Sequence, residues 1–222
     1  MSVFLLCNNP INGLNKLEFP FTPQIDYSQD VRHESYALAH TNYQPNAYSR
    51  TENPNISLSC KFAAHTPEHF AQSNMALKFL RTYSKMNYGR NDNQRGIPPR
   101  LLRFFAYGDA IFNNVPVYIG KFNVLFPEDV DYVSGYVYPD AKQHGSDNRL
   151  TKLGTGNNTR NISKSTADIH TTNDDMQVTK VSLPSLFTVN ITLVTQYNLH
   201  TTVNEFTLEK FAKGQLNSKG YI

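Results

Sequence analysis

One stretch constrains this chain more than any other: residues 65–86 carry a single, well-punctuated helix signal inside a sequence that otherwise reads as strand and loop. Thr66 suits the N-cap because its side-chain oxygen can accept a free backbone N–H, and Pro67 suits the first helical position, where a missing N–H has no partner to lose. Glu68 adds negative charge at the positive end of the helix dipole. Ala76, Phe79, Leu80, Tyr83 and Met86 recur at helical spacing as one apolar stripe, leaving Gln72, Lys78, Arg81 and Lys85 for water or a partner. Gly89 is the expected stop, so the spacing predicts a helix over about 66–87. Such a stripe must be laid on a second layer, and the rest of the chain supplies mainly strands.

Ile56-Ser-Leu-Ser-Cys-Lys-Phe62 alternates cleanly and leads straight into the helix, which puts Ile56, Leu58, Cys60 and Phe62 on one sheet face. Residues 31–40 read as a strand and 42–55 as turn-rich, with Pro45 and Pro54 excluding a helix. After the helix, residues 88–99 form a polar loop closed by two prolines. Residues 100–107 and 110–126 then suit an antiparallel hairpin around Gly108-Asp109. Pro116 lacks a ladder donor and is expected at an edge or a bulge. Residues 130–138 read as a further strand, and 182–197, rich in Thr and Val, as the strongest one, with Pro184 marking an edge or bend near its start. Residues 206–214 suit one or two helical turns with Phe211 buried and Gly214 as stop. Two segments lack sustained periodicity: 1–30, whose part from Asn8 to Asp30 reads as an extended or irregular arm in need of a partner surface, and 139–175, a long polar loop insertion. With 222 residues the whole is expected to be one domain, mainly β with one principal packed helix.

Composition narrows the function classes. A net charge of +3 is too small to draw nucleic acid or a membrane by long-range electrostatics, so such a claim needs a local patch. The apolar run from Val3 to Cys7 is short and lacks the basic lead-in of a signal peptide, and no stretch approaches the roughly 20 apolar residues of a membrane span. Cys7 and Cys60 are expected as two reduced thiols. Four N-x-S/T sequons, at Asn55, Asn157, Asn161 and Asn190, carry little meaning without a secretory signal.

The sharpest catalytic lure is His65-Thr-Pro-Glu-His69, which matches the H-x-x-E-H pattern of inverted zinc peptidases. Two histidines four apart share a metal only when the helix runs through both; here Thr66 and Pro67 start the helix between them, leaving His65 outside it to pack against the strand end. Arg90, Arg95, Arg100 and Arg103 gather near the aromatic strand Arg103-Phe-Phe-Ala-Tyr107, which is faintly similar to an RNA-recognition strand but lacks its glycine and a second aromatic motif. Glu128, Asp129 and Asp131 fit a solvated turn, with no nucleophile or pocket attached to them in sequence. Gly154-Thr-Gly156 lacks the strand, helix and third glycine of a dinucleotide loop. No residue set is therefore assigned to catalysis, cofactor binding or metal binding.

The order of several short strings is more informative than any one of them. His40-Thr-Asn-Tyr-Gln-Pro-Asn-Ala-Tyr48, residues 56–62, His65-Thr-Pro-Glu-His69, Leu77-Lys-Phe-Leu-Arg-Thr-Tyr-Ser-Lys-Met86 and Gly96-Ile-Pro-Pro99 follow one another. Tyr107-Gly-Asp, Phe112-Asn-Asn-Val-Pro-Val117, Pro127-Glu-Asp-Val-Asp-Tyr132, Phe206-Thr-Leu-Glu-Lys-Phe and residues 214–222 continue the series. In this order they resemble the tail-tube initiator family of contractile-tailed bacteriophages, the baseplate tail-tube junction proteins. The match is dense over 34–126 and looser from 181 onward; the 8–30 and 139–175 segments carry no family string.

That resemblance implies a tail-tube-like antiparallel β-sandwich or barrel with one packed helix, assembled as a six-membered homo-oligomeric ring. It implies a place in the virion, at the tail baseplate, after assembly in the bacterial host cytoplasm. The ring's partners would be the baseplate hub protein, a neighbouring initiator or tail tube ring, and the tape measure protein in the channel. DNA would pass only as cargo, with no membrane partner and no cofactor. Lys78, Arg81 and Lys85 on the helix, with Arg95 and Arg100, are the expected subunit or ring interface. A carbohydrate- or nucleic-acid-binding β-domain using Tyr and Arg side chains is the competing expectation.

Overall fold

The computed structural model describes residues 3–89, 94–137 and 179–222; the 139–175 loop, Arg90, Gly154 and Gly156 lie outside them. The protein is mainly β, as expected. Seven strands form one antiparallel sheet in the order β2-β1-β7-β8-β11-β6-β3. They are β1 (Phe4–Ile11), β2 (Leu14–Glu18), β3 (Gln24–Ser28), β6 (Asn55–Ala63), β7 (Leu102–Ala106), β8 (Phe112–Leu125) and β11 (Leu186–Thr195). Two two-stranded antiparallel sheets stand apart from it: the hairpin of β4 (Val31–Ser35) with β5 (Asn46–Thr51), and β9 (Tyr132–Val137) paired with β10 (Thr179–Pro184).

Alternation places the core. Ile56, Leu58, Cys60 and Phe62 of β6 are all buried on one face, opposite Leu193, Ile191, Val189 and Phe187 of β11 in matching register. From β7 and β8 come Leu102, Phe104, Val115, Val117 and Ile119. The sheet curls: Phe19, just past β2, packs its ring 6.4 Å from that of Phe62 on β6, although four strands separate β2 from β6 within the sheet. The barrel does not close, because β2 and β3 do not pair. Helix α1 (Pro67–Tyr83) packs against β2, β6, β8 and β9. Its buried side chains are Phe70, Ser73, Ala76, Leu77, Phe79, Leu80 and Tyr83.

The helix starts where its sequence says it does. Thr66 is extended at φ −117°, and its Oγ1 accepts the N–H of His69 at 3.2 Å. The end is earlier than expected: Ser84, not Gly89, caps the last turn, its N–H reaching the Leu80 carbonyl and its hydroxyl donating to Arg81 O. Met86 thus falls beyond the helix and is exposed.

Several expectations are corrected. Within residues 1–30, the expected arm is built into the sheet as β1, β2 and β3. The short edge strands β2 and β3 each turn few side chains inward, chiefly Leu17 and Ile25, too few to register as a period. The strand expected over 31–40 stops at Ser35, and the turn-rich 42–55 contains β5. Pro116 sits inside β8 in an interior position rather than on a sheet edge. The β11 ladder ends opposite Val117, so the missing N–H costs no strand–strand bond, while the Pro116 carbonyl accepts Gln196 N at 2.9 Å. Pro184 does mark a bend: the run 182–197 breaks at Ser185, which sends β10 to β9 and β11 into the main sheet. At the C-terminus α2 (Leu199–Glu205) is an unexpected short helix, and α3 (Leu208–Ala212) covers the expected turns. Gly214 follows α3 at φ +68°, as a stop should, but Phe211 is 38% exposed rather than buried, its ring tilted against that of Phe206 at 5.7 Å.

Candidate assembly surfaces

The five cations expected at an interface are not one patch. Lys78 is half-buried on α1, Arg81 and Lys85 are exposed along and just past its end, and none of the three has an acidic partner among the described residues. Arg95 lies over the Tyr88 ring at 5.8 Å in the following loop, a cation–π contact that keeps it near the chain. Arg100 is half-buried and bonds back onto its own chain. Its Nη1 donates to the Asn9 carbonyl and its Nη2 to Gln94 Oε1 at 3.1 Å, so it ties the loop to β1.

Arg100 belongs to a polar knot that sequence reasoning missed. Tyr83, on the last turn of α1, is 1% exposed, yet its hydroxyl donates to the Leu14 carbonyl at 2.5 Å and accepts the Ile11 N–H at 3.1 Å. These two groups flank the turn at Asn12 and Gly13, where both residues adopt positive φ. The Tyr83 hydroxyl thus ties the backbone on both sides of this turn to a helix distant in sequence. Burial first, and then the neighbouring Cys7 thiol, push the Tyr83 hydroxyl up to about 12, partly offset by the Ile11 N–H and the Arg100 charge. The signal in sequence was an aromatic with a polar tip on an apolar stripe, which by itself names no partner.

The other sequence candidates fall as follows. His65, Glu68 and His69 are exposed, and the helix begins at Pro67, between the two histidines. The expected packing of His65 against a strand end does not occur; Phe70 fills that role, its ring against Gly135 of β9. Among the described residues no group of three His, Cys, Asp or Glu is placed to share a metal ion. Glu128, Asp129 and Asp131 are exposed. In the aromatic strand, Phe104 is buried and Phe105 stacks on Phe4 at 4.8 Å, with Lys16 4.3 Å over the same Phe4 ring, so these rings are already engaged within the chain. Cys7 and Cys60 are both buried and unpaired. Cys60 donates to the Val189 carbonyl at 3.1 Å, and burial pushes its thiol up to about 12.

A groove of about 270 Å³ lies beside the C-terminus, lined in part by Arg103, Pro116, Tyr197, Lys219 and Tyr221. Its cations are occupied: Lys219 pairs with Glu205 and Arg103 donates to the Asn114 carbonyl. Tyr197 stacks on Tyr221 at 4.9 Å, the two rings nearly parallel. The groove is a seam where the C-terminal segment closes over β8, with Gly220 at φ +84° so near Asn114 and Pro116 that a side chain would not fit.

The most open feature is the β4–β5 hairpin. Every residue over 26–51 is exposed, including Tyr36, Leu38, Tyr43 and Tyr48. It is held by its own ladder, by Ser35 donating to Asn46, by the edge-on contact of His33 with Tyr48, and by Arg32 and Arg50 on Glu52. None of the described helices is long and apolar enough to cross a membrane. A scan against models of protein families gives no match to this sequence, and a search of curated proteins finds no relative.

Proposed function

We propose that this chain is a structural virion protein whose copies form a ring, joining the baseplate hub of a contractile phage tail to the tail tube and starting tube polymerisation. The observation that carries the reading is the combination of an unclosed antiparallel sheet with a hairpin exposed over its full length, both of which a neighbouring copy would complete. The sequence strings support it. They fall on the hairpin, β6, α1, β8 and the C-terminal segment among other places, and five of them contain residues at positive φ: His40, Gly96, Tyr107 with Gly108, Asn114, and Gly214 with Gly220, so part of their composition answers a backbone requirement of this fold.

Ring geometry adds a constraint. Seven strands that alternate in direction leave edges β2 and β3 running the same way. In a cyclic ring with strands along the axis, edge-to-edge joining would pair β3 of one copy in parallel with β2 of the next, the weaker ladder per residue. Side-chain surfaces must then contribute much of the closure. The lumen would pass tape measure and DNA without tight phosphate contacts, in keeping with the small net charge.

Reconstruction of the assembled tail tip tests the proposal. The expected result is density for this chain repeated as a closed ring around the tail axis; a position off the axis would sink it. Titration with single-stranded nucleic acid and glycans tests the competing binding-domain reading, which saturable binding would favour.

A further inference from the structure

We infer that the β4–β5 hairpin is an arm that docks on the α1 face of a second copy of this chain; the inference rests on the ring reading and names the surfaces that close it. Charge is the first argument. Residues 26–52 carry four acids against two arginines, and both arginines are held by Glu52 at 2.6 and 3.6 Å. Asp26, Asp30 and Glu34 are left without a cationic partner among the described residues, while Lys78, Arg81 and Lys85 are left without an acidic one. The two unpaired sets have opposite sign on one chain and do not meet within it, so a head-to-tail contact between copies satisfies both.

Apolar surface is the second argument. Tyr36, Leu38, Tyr43 and Tyr48 are 53%, 58%, 89% and 62% exposed on the hairpin. Beside the helix cations, Met75 and Met86 are 41% and 45% exposed, and Tyr88 follows at 73%. Aromatic rings against methionines are the composition enriched at interface centres, and cations over tyrosine faces add cation–π attraction. Size is the third. The exposed run 26–51 matches the roughly 20–30 residues a side of a standard interface, whereas a two-stranded hairpin alone in water is at best marginally stable.

The test uses the full chain and sedimentation velocity up to about 1 mM protein, spanning the weak end of the affinity scale. Three variants are compared with the wild type, each checked for an unchanged β-rich circular dichroism spectrum: Leu38→Ser with Tyr43→Ser, Lys78→Glu with Lys85→Glu, and Asp30→Lys with Glu34→Lys. Each is expected to weaken self-association at least about tenfold, as loss of a central anchor or charge pair does. Mixing the two charge-reversed proteins is expected to restore a hetero-association that neither shows alone. Variants that associate like the wild type overturn the docking while leaving a ring closed by sheet edges. A wild type that stays monomeric throughout overturns the docking too, and the ring itself is then judged by the tail-tip density. Hairpin protection from proteolysis by single-stranded DNA, but not by rising protein concentration, overturns it in favour of a nucleic-acid partner.

Discussion

Replacing Tyr83 by Phe isolates the polar knot beneath the C-terminal end of α1. The ring keeps its packing, 4.5 Å from Phe79, and only the hydroxyl is lost. With it go the bond to Leu14 O and the bond from Ile11 N. Each hydrogen bond is worth about 0.5–1.5 kcal/mol net, so the pair predicts a loss of about 1–3 kcal/mol. Both backbone groups are only part-buried and can recruit water, which favours the lower half of that range. For a chain of this length about 2–4 °C of Tm accompanies each kcal/mol, so the lower half of the range gives a fall of roughly 2–8 °C. Urea unfolding should show a lower midpoint at an unchanged slope. Alkaline pH provides a second readout. The Tyr83 hydroxyl titrates near 12 in the folded chain against 10.0 for the ordinary group. The folded state therefore binds the proton more tightly, and the stability from this group is complete below about 10 and lost as pH rises from there through 12. The Phe variant should lack that share of the alkaline decline. A variant within about 0.5 kcal/mol of wild type at neutral pH, with an unaltered alkaline profile, would refute the knot as a stabilising feature.

The remaining expectations are simpler. Gly220→Ala forces a side chain to within 2.7 Å of Pro116 Cδ at φ +84°, and should cost at least about 1–2 kcal/mol while freeing the C-terminal segment to proteases, measured by urea unfolding and limited proteolysis. Thr66→Ala removes the N-cap bond to His69 N and should cost about 1 kcal/mol by the same unfolding assay, with Thr66→Ser largely retaining it. Cys7 and Cys60 are buried, so a thiol reagent should label neither in the native chain and both after denaturation; rapid native labelling of Cys60 would contradict its place opposite Val189.

The helix start and the β6 alternation were legible because each is a local rule. Thr66 and Pro67 act on backbone groups within one turn, and a strand with one buried face writes its period directly into the residues from Ile56 to Phe62. By the same local rule Pro67 sets the helix start between His65 and His69. The five cations expected at an interface have different surroundings. Lys78, Arg81 and Lys85 remain on or near the outer side of α1, whereas Arg100 is committed to Asn9 and Gln94, contacts to separate segments that no spacing encodes.

What the tertiary structure alone decided shares one cause, pairing between segments far apart in the chain. Residues 1–30 read as an arm because β2 and β3 are short edge strands whose ladders with β1 and β6, rather than any periodicity of their own, make them strands. The exposed hairpin shows no period because neither of its faces is buried, so nothing selects apolar residues at alternate positions. The sequence by itself determined a capped helix and a buried strand feeding it. Which edges stay open, which cations stay unpaired, and which backbone groups Tyr83 must satisfy were decided by the curl of the sheet around that helix, because those are properties of what each residue meets.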